Sequence, residues 1–252
     1  MSRRLTTFAR ACAATLAVAC LVGSAVRPAA AQIAPDAPQG PAPATNLRDL
    51  VGRYRAWRGG FALESLETIH ERLEIDTPTG QATGAVWIER DGRTRRETAT
   101  AAGRRIEVAT SDGAWRAAPG GPVKDDPGGF ERARRYALLA FGDALSGRGG
   151  ATVAMAGSAD VGGRTWTVVR VTYGDADVYE ALLDPSSGWL CCYRITESGA
   201  TRLEMLGDWR LVDGVRMPFA ELVKSSGEVG SRVSAIELNR SFPPSLFAKP
   251  PG

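Results

Sequence analysis

Histidine is almost absent from this chain: its 252 residues include one, His70. A Ser-His-Asp or Cys-His mechanism would have to run through that residue. No Gly-x-Ser-x-Gly elbow accompanies it, and it reads as a strand-surface histidine. Gly120-Gly121 and Gly128-Gly129 are not followed by the Lys-Ser/Thr pair that completes a phosphate loop. Cysteine is scarce as well, with four residues, too few beside one histidine to hold a zinc-type metal. The acid pairs Asp125/Asp126 and Asp175/Asp177 stand next to Gly or Pro and read as solvated turn carboxylates. These shortages argue against an enzyme and imply no cofactor and no metal.

Long apolar runs are missing too, with one exception at the start. Arg3, Arg4 and Arg10 precede and flank an apolar run from Ala11 to Val26, and Ala29-Ala30-Ala31 follows as a small-x-small cleavage site. The run is too short for a comfortable membrane span. Residues 1–31 are therefore expected to be a signal peptide cleaved after Ala31, and the protein to be exported. The competing reading is lipid attachment at Cys20, which follows Leu16-Ala17-Val18-Ala19 but sits inside the apolar run.

Cleavage changes the charge balance. Of 31 basic residues it removes Arg3, Arg4, Arg10 and Arg27 and no acid, leaving 27 against 28 acidic residues. A nucleic-acid partner needs a dense positive surface, and the mature chain has no basic excess. Residues 32–45 are rich in Pro and Ala and read as a flexible leader. Residues 46–252 suit a single β-rich domain. Of the cysteines only Cys191 and Cys192 remain. As neighbours on a strand they are expected to face opposite sides and to form no bond with each other.

Along the mature chain the hydrophobic period identifies the elements. Asn46 caps a short helix whose apolar positions Leu47, Leu50, Val51 and Tyr54 share one face, and Gly59-Gly60 ends it. A further turn covers Ala62 to Leu66. The period then becomes two: Ile69, Leu73 and Ile75 alternate with His70, Arg72 and Glu74. Pro78-Thr79-Gly80 turns the chain into Thr83–Arg90, with Val86 and Ile88 on one face and Trp87 on the other. Asp91-Gly92 leads to a very polar strand, Arg93–Thr98, with little to bury. Arg104–Ala109 follows with Ile106 and Val108 on one face, then Asp112-Gly113 and Trp115.

Gly120–Gly129 reads as a loop, and Phe130–Leu145 as a helix with Phe130, Ala133, Ala137, Leu138, Phe141 and Leu145 on one face. From Arg164 to Asn239 strands alternate with tight Gly/Asp/Pro turns. An antiparallel sheet of this many strands must curl, and the helix is expected to cover part of its concave face. The fold class is thus mainly β with a few helices. In that arrangement Phe130, Leu138, Phe141 and Leu145 meet inward residues Ile69, Leu73, Val86, Ile88, Ile106 and Val108. These ten are the candidate lining of an apolar, ligand-binding cavity. Six tryptophans, five of them in strand-like segments, pack the core or line that cavity.

Several pieces, in order, resemble the LolA-like superfamily of periplasmic lipoprotein and lipid carriers. They are the opening helix before Gly59-Gly60, Gly84-x-x-Trp87 with Arg95-Arg96-Glu97, Asp112-Gly113-Ala114-Trp115 and the mid-chain helix. Leu183-Asp184-Pro185-Ser186-Ser187-Gly188, Asp208-Trp209-Arg210 and Asp213-Gly214-Val215-Arg216-Met217-Pro218 follow, and Asn239 and Phe247 close the pattern. The resemblance spans Leu47 to Pro250. It implies a half-open, unclosed β-barrel with a helical lid over an apolar cavity, a periplasmic location, and lipid or lipoprotein acyl chains as ligands. Envelope proteins would be further partners. The polar strand Arg93–Thr98 departs from a lipid-facing wall. The alternative is a non-catalytic interaction module of the envelope whose cavity is filled by its own side chains.

Overall fold

The computed structural model describes residues 43–250, apart from 78–79, 175–176, 198 and 225–227. The expected signal peptide, most of the leader, the Pro78-Thr79 turn and Asp175 lie outside the described residues.

Helix α1 (Leu47–Arg58) begins where the sequence places it: the Asn46 side-chain oxygen accepts from the Asp49 N–H at 2.9 Å, and Gly59 ends it at φ 140°. A one-turn helix α2 (Phe61–Glu64) follows. Then come β1 (Thr68–Thr77), β2 (Gly80–Glu89), β3 (Thr94–Thr100), β4 (Gly103–Thr110), β5 (Gly113–Ala117) and β6 (Val123–Asp125). Helix α3 (Gly129–Ala140) separates these from β7 (Thr152–Val161), β8 (Arg164–Tyr173), β9 (Asp177–Leu183) and β10 (Leu190–Glu197). The last strands are β11 (Ala200–Val212), β12 (Val215–Lys224) and β13 (Glu228–Leu238).

All the strands join one antiparallel sheet, ordered β6-β5-β4-β3-β2-β1-β13-β12-β11-β10-β9-β8-β7. It is two meanders joined where β1 pairs with β13, Ile69 opposite Leu238. Among the described residues β6 and β7 do not pair with each other, so the sheet does not close into a barrel. The fold class read from the sequence holds.

The helices occupy the concave face. Leu50 and Tyr54 of α1 pack with Leu139 of α3 and with Val169, Val171, Tyr179, Ala181, Tyr193 and Ile195 from β8–β10. Leu63 and Leu66 pack with Phe141, Ile69, Ile88, Met217 and Phe219 in a second cluster. Arg58, 3% exposed, ties these groups together. It donates to the Tyr54 hydroxyl and to the Ala140 carbonyl, both at 3.0 Å, and lies over the Trp209 ring.

The turn between β9 and β10 clamps α1 to the sheet. The Asp184 carboxylate accepts from the Ser186 N–H (3.0 Å), the Ser187 N–H (2.7 Å) and the Ser187 hydroxyl (2.9 Å), and pairs with Arg164. Burial would push its carboxyl up, but the bonds from Ser187 and Ser186 and the Arg164 charge outweigh this and hold it below the ordinary aspartate value. Arg53 of α1 donates to the Ser186 carbonyl at 2.9 Å.

Five expectations are corrected. Strand β7 was not anticipated, because its run Thr-Val-Ala-Met-Ala-Gly-Ser-Ala-Asp-Val is small and weakly alternating. The Gly120–Gly129 loop contains the short strand β6. The helix expected over Phe130–Leu145 ends at Ala140: Phe141 is its C-cap, Gly142 takes φ 72°, and a separate 3₁₀ turn covers Ala144–Ser146. The polar strand β3 does bury something, since Glu97 is 8% exposed between Arg95 and Arg104. Cys191 and Cys192 do not point to opposite faces. Both thiols are free, and both join one convex-face cluster with Trp166, Val168, Leu182 and Trp189.

Candidate functional site

The site is the concave face, and strand register decides what faces it. Side chains directly opposite on neighbouring strands share a face. Ile69 stands opposite Ile88 and Glu71 opposite Val86. Val86 stands opposite Arg96, and Arg96 opposite Glu107. The inward row therefore runs Glu71, Val86, Arg96, Glu107. Ile106 and Val108 alternate with Glu107 and fall on the other side, opposite Glu97 and Arg95. Ile106 is therefore not part of the lining, contrary to expectation, whereas Val108, on the same side of β4, does line the cavity beside α3. Apolar alternation within a strand does not say which face is inward, and here the convex face has a cover of its own. Phe247 is 4% exposed, and Arg95 donates to the Leu246 carbonyl at 3.0 Å.

The other expected residues divide. Ile69, Leu73, Val86, Ile88 and Phe141 meet in one cluster with Ala137 and Leu63. Leu145 and Leu138 belong to the separate cluster under α1. Phe130 is only half-buried and belongs to neither. His70 is on the opposite side of β1 from Ile69, stacked on Trp87 at 4.9 Å and 3.2 Å from the Glu237 carboxylate.

Between the clusters a cavity of about 320 Å³ opens beside α3. Its apolar wall includes Val86, Val108, Ala133, Leu139 and Ile195. Its polar wall includes Arg96, Glu107, Tyr136, Glu197 and Arg202. Arg202 is paired with Glu197 and Glu204, each at 2.7 Å. Arg132 and Arg116 both reach Asp126, at 2.8 and 3.2 Å. Arg96 differs: among the described residues it has no side-chain hydrogen bond or ion pair, and the carboxylates that act on its charge through space are Glu221, Glu107 and Glu71.

Two carboxylates share this interior. Burial, then the neighbouring Glu221 charge, pushes the Glu71 carboxyl up to about 7. Burial, then Glu204, does the same to Glu221, also to about 7. Burial, then Glu71 and Glu221, raises the Tyr136 phenol well above its usual value. Solvent nevertheless reaches this interior, and Tyr136 stays 39% exposed. The cavity is thus mixed, with one apolar wall and a charged band across the sheet.

Sequence reasoning missed Glu71, Arg96, Tyr136 and Glu221. The signal for Glu71 was present: it stands two residues from both Ile69 and Leu73, on the apolar side of the alternation. Arg96, Tyr136 and Glu221 needed the register and the helix placement.

A pH dependence follows. Both carboxyls bind protons more tightly folded than unfolded, so their effect on stability is most favourable at low pH. It is lost as pH rises from 4.5 through about 7. Solvent access limits the effect to roughly 1 kcal/mol for each group, which is about 2–4 °C in Tm for a domain of this size. Glu71→Gln and Glu221→Gln are each expected to raise Tm by that amount at pH 8 and to leave it nearly unchanged at pH 5. Thermal melts at the two pH values check this; equal shifts at both would show that the carboxyls titrate normally.

No protein-family model matches the sequence, and comparison with curated proteins finds no match. The fold, by contrast, has clear likenesses. A LolA-superfamily protein of Nitrosomonas europaea superposes with TM-score 0.56 at 11% identity, over 82% of this chain and 99% of that one. A proposed outer-membrane lipoprotein-sorting domain of Vibrio parahaemolyticus gives 0.51 at 11% identity, over 81% and 96%. A DUF1329-family protein of Desulfovibrio piger gives 0.55 at 8% identity, over 81% and 97%. The chain has the LolA-type fold, the unclosed sheet with helices across its concave side.

Proposed function

We propose that this protein is a non-catalytic carrier or chaperone of the periplasm that shelters a lipid or lipoprotein acyl chain in its half-barrel, with α3 as the lid. One observation supports this above the others. The cavity beside α3 joins an apolar wall, Val86, Leu139 and Ile195, to a guanidinium, Arg96, that makes no hydrogen bond or ion pair among the described residues and feels carboxylates only through space. An amphiphile with an acyl tail and an anionic head matches both: the tail gains from leaving water, and the head gains a charge-assisted hydrogen bond from Arg96. The fold likeness to LolA-superfamily and lipoprotein-sorting domains points the same way. Export rests on the signal-peptide pattern: Arg3-Arg4, the run Ala11–Val26 and the Ala29-Ala30-Ala31 cleavage site.

The cavity of about 320 Å³ is lined by Ala133, Tyr136 and Leu139 of α3, which places this helix in the path of the ligand. Gly128, at φ 74°, stands at the less buried end of α3, whereas Phe141, 1% exposed, anchors the other end. A second reading, an interaction module, draws on the large share of the concave face already filled by α1, α2 and α3 side chains.

Displacement of a fluorescent fatty-acid probe separates the two. The parent protein is expected to bind the probe. Ala133→Trp, which fills the cavity from α3, is expected to weaken binding at least about tenfold, the loss of roughly 1.4 kcal/mol. Far-UV circular dichroism serves as the folding control. A parent protein that takes up no probe would overturn the carrier reading and favour the interaction module.

A further inference from the structure

The adjacent cysteines form a site that the carrier reading does not use. In the β9–β10 ladder Leu190 stands opposite Leu183, but Cys192 stands opposite Leu182. Two steps on β10 match one step on β9, so Cys191 is the extra residue of a β-bulge. A bulge sets two successive residues against a single partner, which brings both cysteine side chains to the convex face. Both lie in the Trp166, Val168, Leu182, Trp189 cluster. Cys192 is the neighbour that acts most strongly on the Cys191 thiol. Leu190, before the bulge, packs into the concave-face core.

The two sulfurs differ in surroundings. Cys191 retains 9% of its surface and Cys192 none. Arg164 lies near Cys191, over the rings of Trp166 and Trp189 at 4.7 and 5.5 Å, and is paired with Asp184. The neighbouring Cys192, and to a lesser degree the Arg164 charge, lower the Cys191 thiol below its ordinary value despite burial. The neighbouring Cys191, then burial, raises Cys192. A thiol lowered by its neighbours, beside a second thiol on the same face, is the arrangement of a redox-sensing cysteine pair.

We propose that Cys191 and Cys192 are a peroxide-reactive vicinal dithiol that closes reversibly to a disulfide. The Cys191 thiolate attacks the distal oxygen of a hydroperoxide. The O–O bond breaks, the departing alkoxide or hydroxide takes a proton from water, and Cys191 becomes a sulfenic acid, oxidised by two electrons. The Cys192 sulfur then attacks the Cys191 sulfur. The S–O bond breaks, water leaves with the Cys192 proton, and the S–S bond forms.

A hydroperoxide suits the site by its small size, since Cys191 keeps only 9% of its surface. Consecutive Cα atoms are about 3.8 Å apart, shorter than the usual span of about 4.4–6.8 Å across a disulfide. The closed ring is therefore strained and easily reduced, the property of labile, regulatory disulfides. As the extra residue of the bulge, Cys191 sits out of the pair register, so its backbone can adjust while the ladder on either side stays in place.

The test uses the full mature chain, reduced and then exposed to hydrogen peroxide. The expected product is a monomer lighter by two hydrogens, with a Cys191–Cys192 linked peptide on mapping and both thiols restored by dithiothreitol. Cys192→Ser is expected to stop at a sulfenic acid on Cys191, captured by dimedone. Cys191→Ser is expected to react at least tenfold more slowly than the parent. Unfolding the parent in urea is expected to remove the rate advantage over a free cysteine. Folded protein whose two thiols both stay alkylatable, or which goes directly to sulfinic acid or to intermolecular dimers, would overturn the proposal. So would equal rates for the folded and unfolded chains.

Discussion

Gly188→Ala is expected to lower stability by about 3–5 kcal/mol, the combined cost of backbone strain and forced overlap. Gly188 takes φ 75°, where any Cβ is strained. It also lies directly against α1. A Cβ there would fall inside contact distance of the Arg53 carbonyl carbon and the Tyr54 nitrogen, and 2.8 Å from the Tyr54 Cα. All three are backbone atoms of a helix, so nothing flexible can give way. The same turn holds Arg53 through the Ser186 carbonyl, so displacing it loosens α1 and exposes Leu50 and Tyr54, both fully buried. Gly163→Ala is the control. It has φ 76° and no atom within 4 Å of its Cβ, so it reports the strain alone, about 1–2 kcal/mol. Urea melts of both variants check the difference; equal losses would show that α1 does not rest on this turn.

Phe141→Asp is the second large effect, and the structure reverses the outcome that the sequence suggests. On a lid helix running to Leu145, the charge would open the lid and leave the sheet folded. Phe141 instead caps α3, is 1% exposed, and packs with Leu63, Ile69, Ile88 and Met217. Removing such a ring costs about 3–5 kcal/mol before any charge is added. An unpaired carboxylate there costs further. The Arg90 guanidinium lies 5.2 Å from the ring, but it already pairs with Asp143 at 3.2 Å. The variant is therefore expected to lose more than about 10 °C in Tm, with the helix cluster and the sheet melting together. Phe130→Asp, at the other end of α3 and only half-buried, is expected to shift Tm by no more than about 2–4 °C. Near-parent stability in Phe141→Asp would restore the hinged-lid picture for the whole of residues 130–145.

The sequence alone determined the elements whose cause is local. Asn46 and Gly59 bound α1 because capping and positive φ are properties of one or two residues. Gly, Asp and Pro turns placed most of the strands, and their number required an antiparallel sheet that curls. Apolar spacing correctly grouped Ile69, Leu73, Val86 and Ile88, because one strand's alternation fixes one face.

Only the tertiary structure decided which face is the inside. That turned on pairing register, which sets Val86 against Arg96 and so sends Ile106 outward. It also turned on what covers each face: the Phe247 segment gives the convex side a buried surface that alternation cannot distinguish from a cavity wall. The cysteine pair shows the same limit. Alternation predicts opposite faces, and a one-residue bulge, invisible without the β9 partner strand, puts both sulfurs on one side. The charged interior formed by Glu71, Arg96 and Glu221 comes from three separated strands. Its raised carboxyl pKa values arise from burial and mutual charge, which exist only once the sheet has curled.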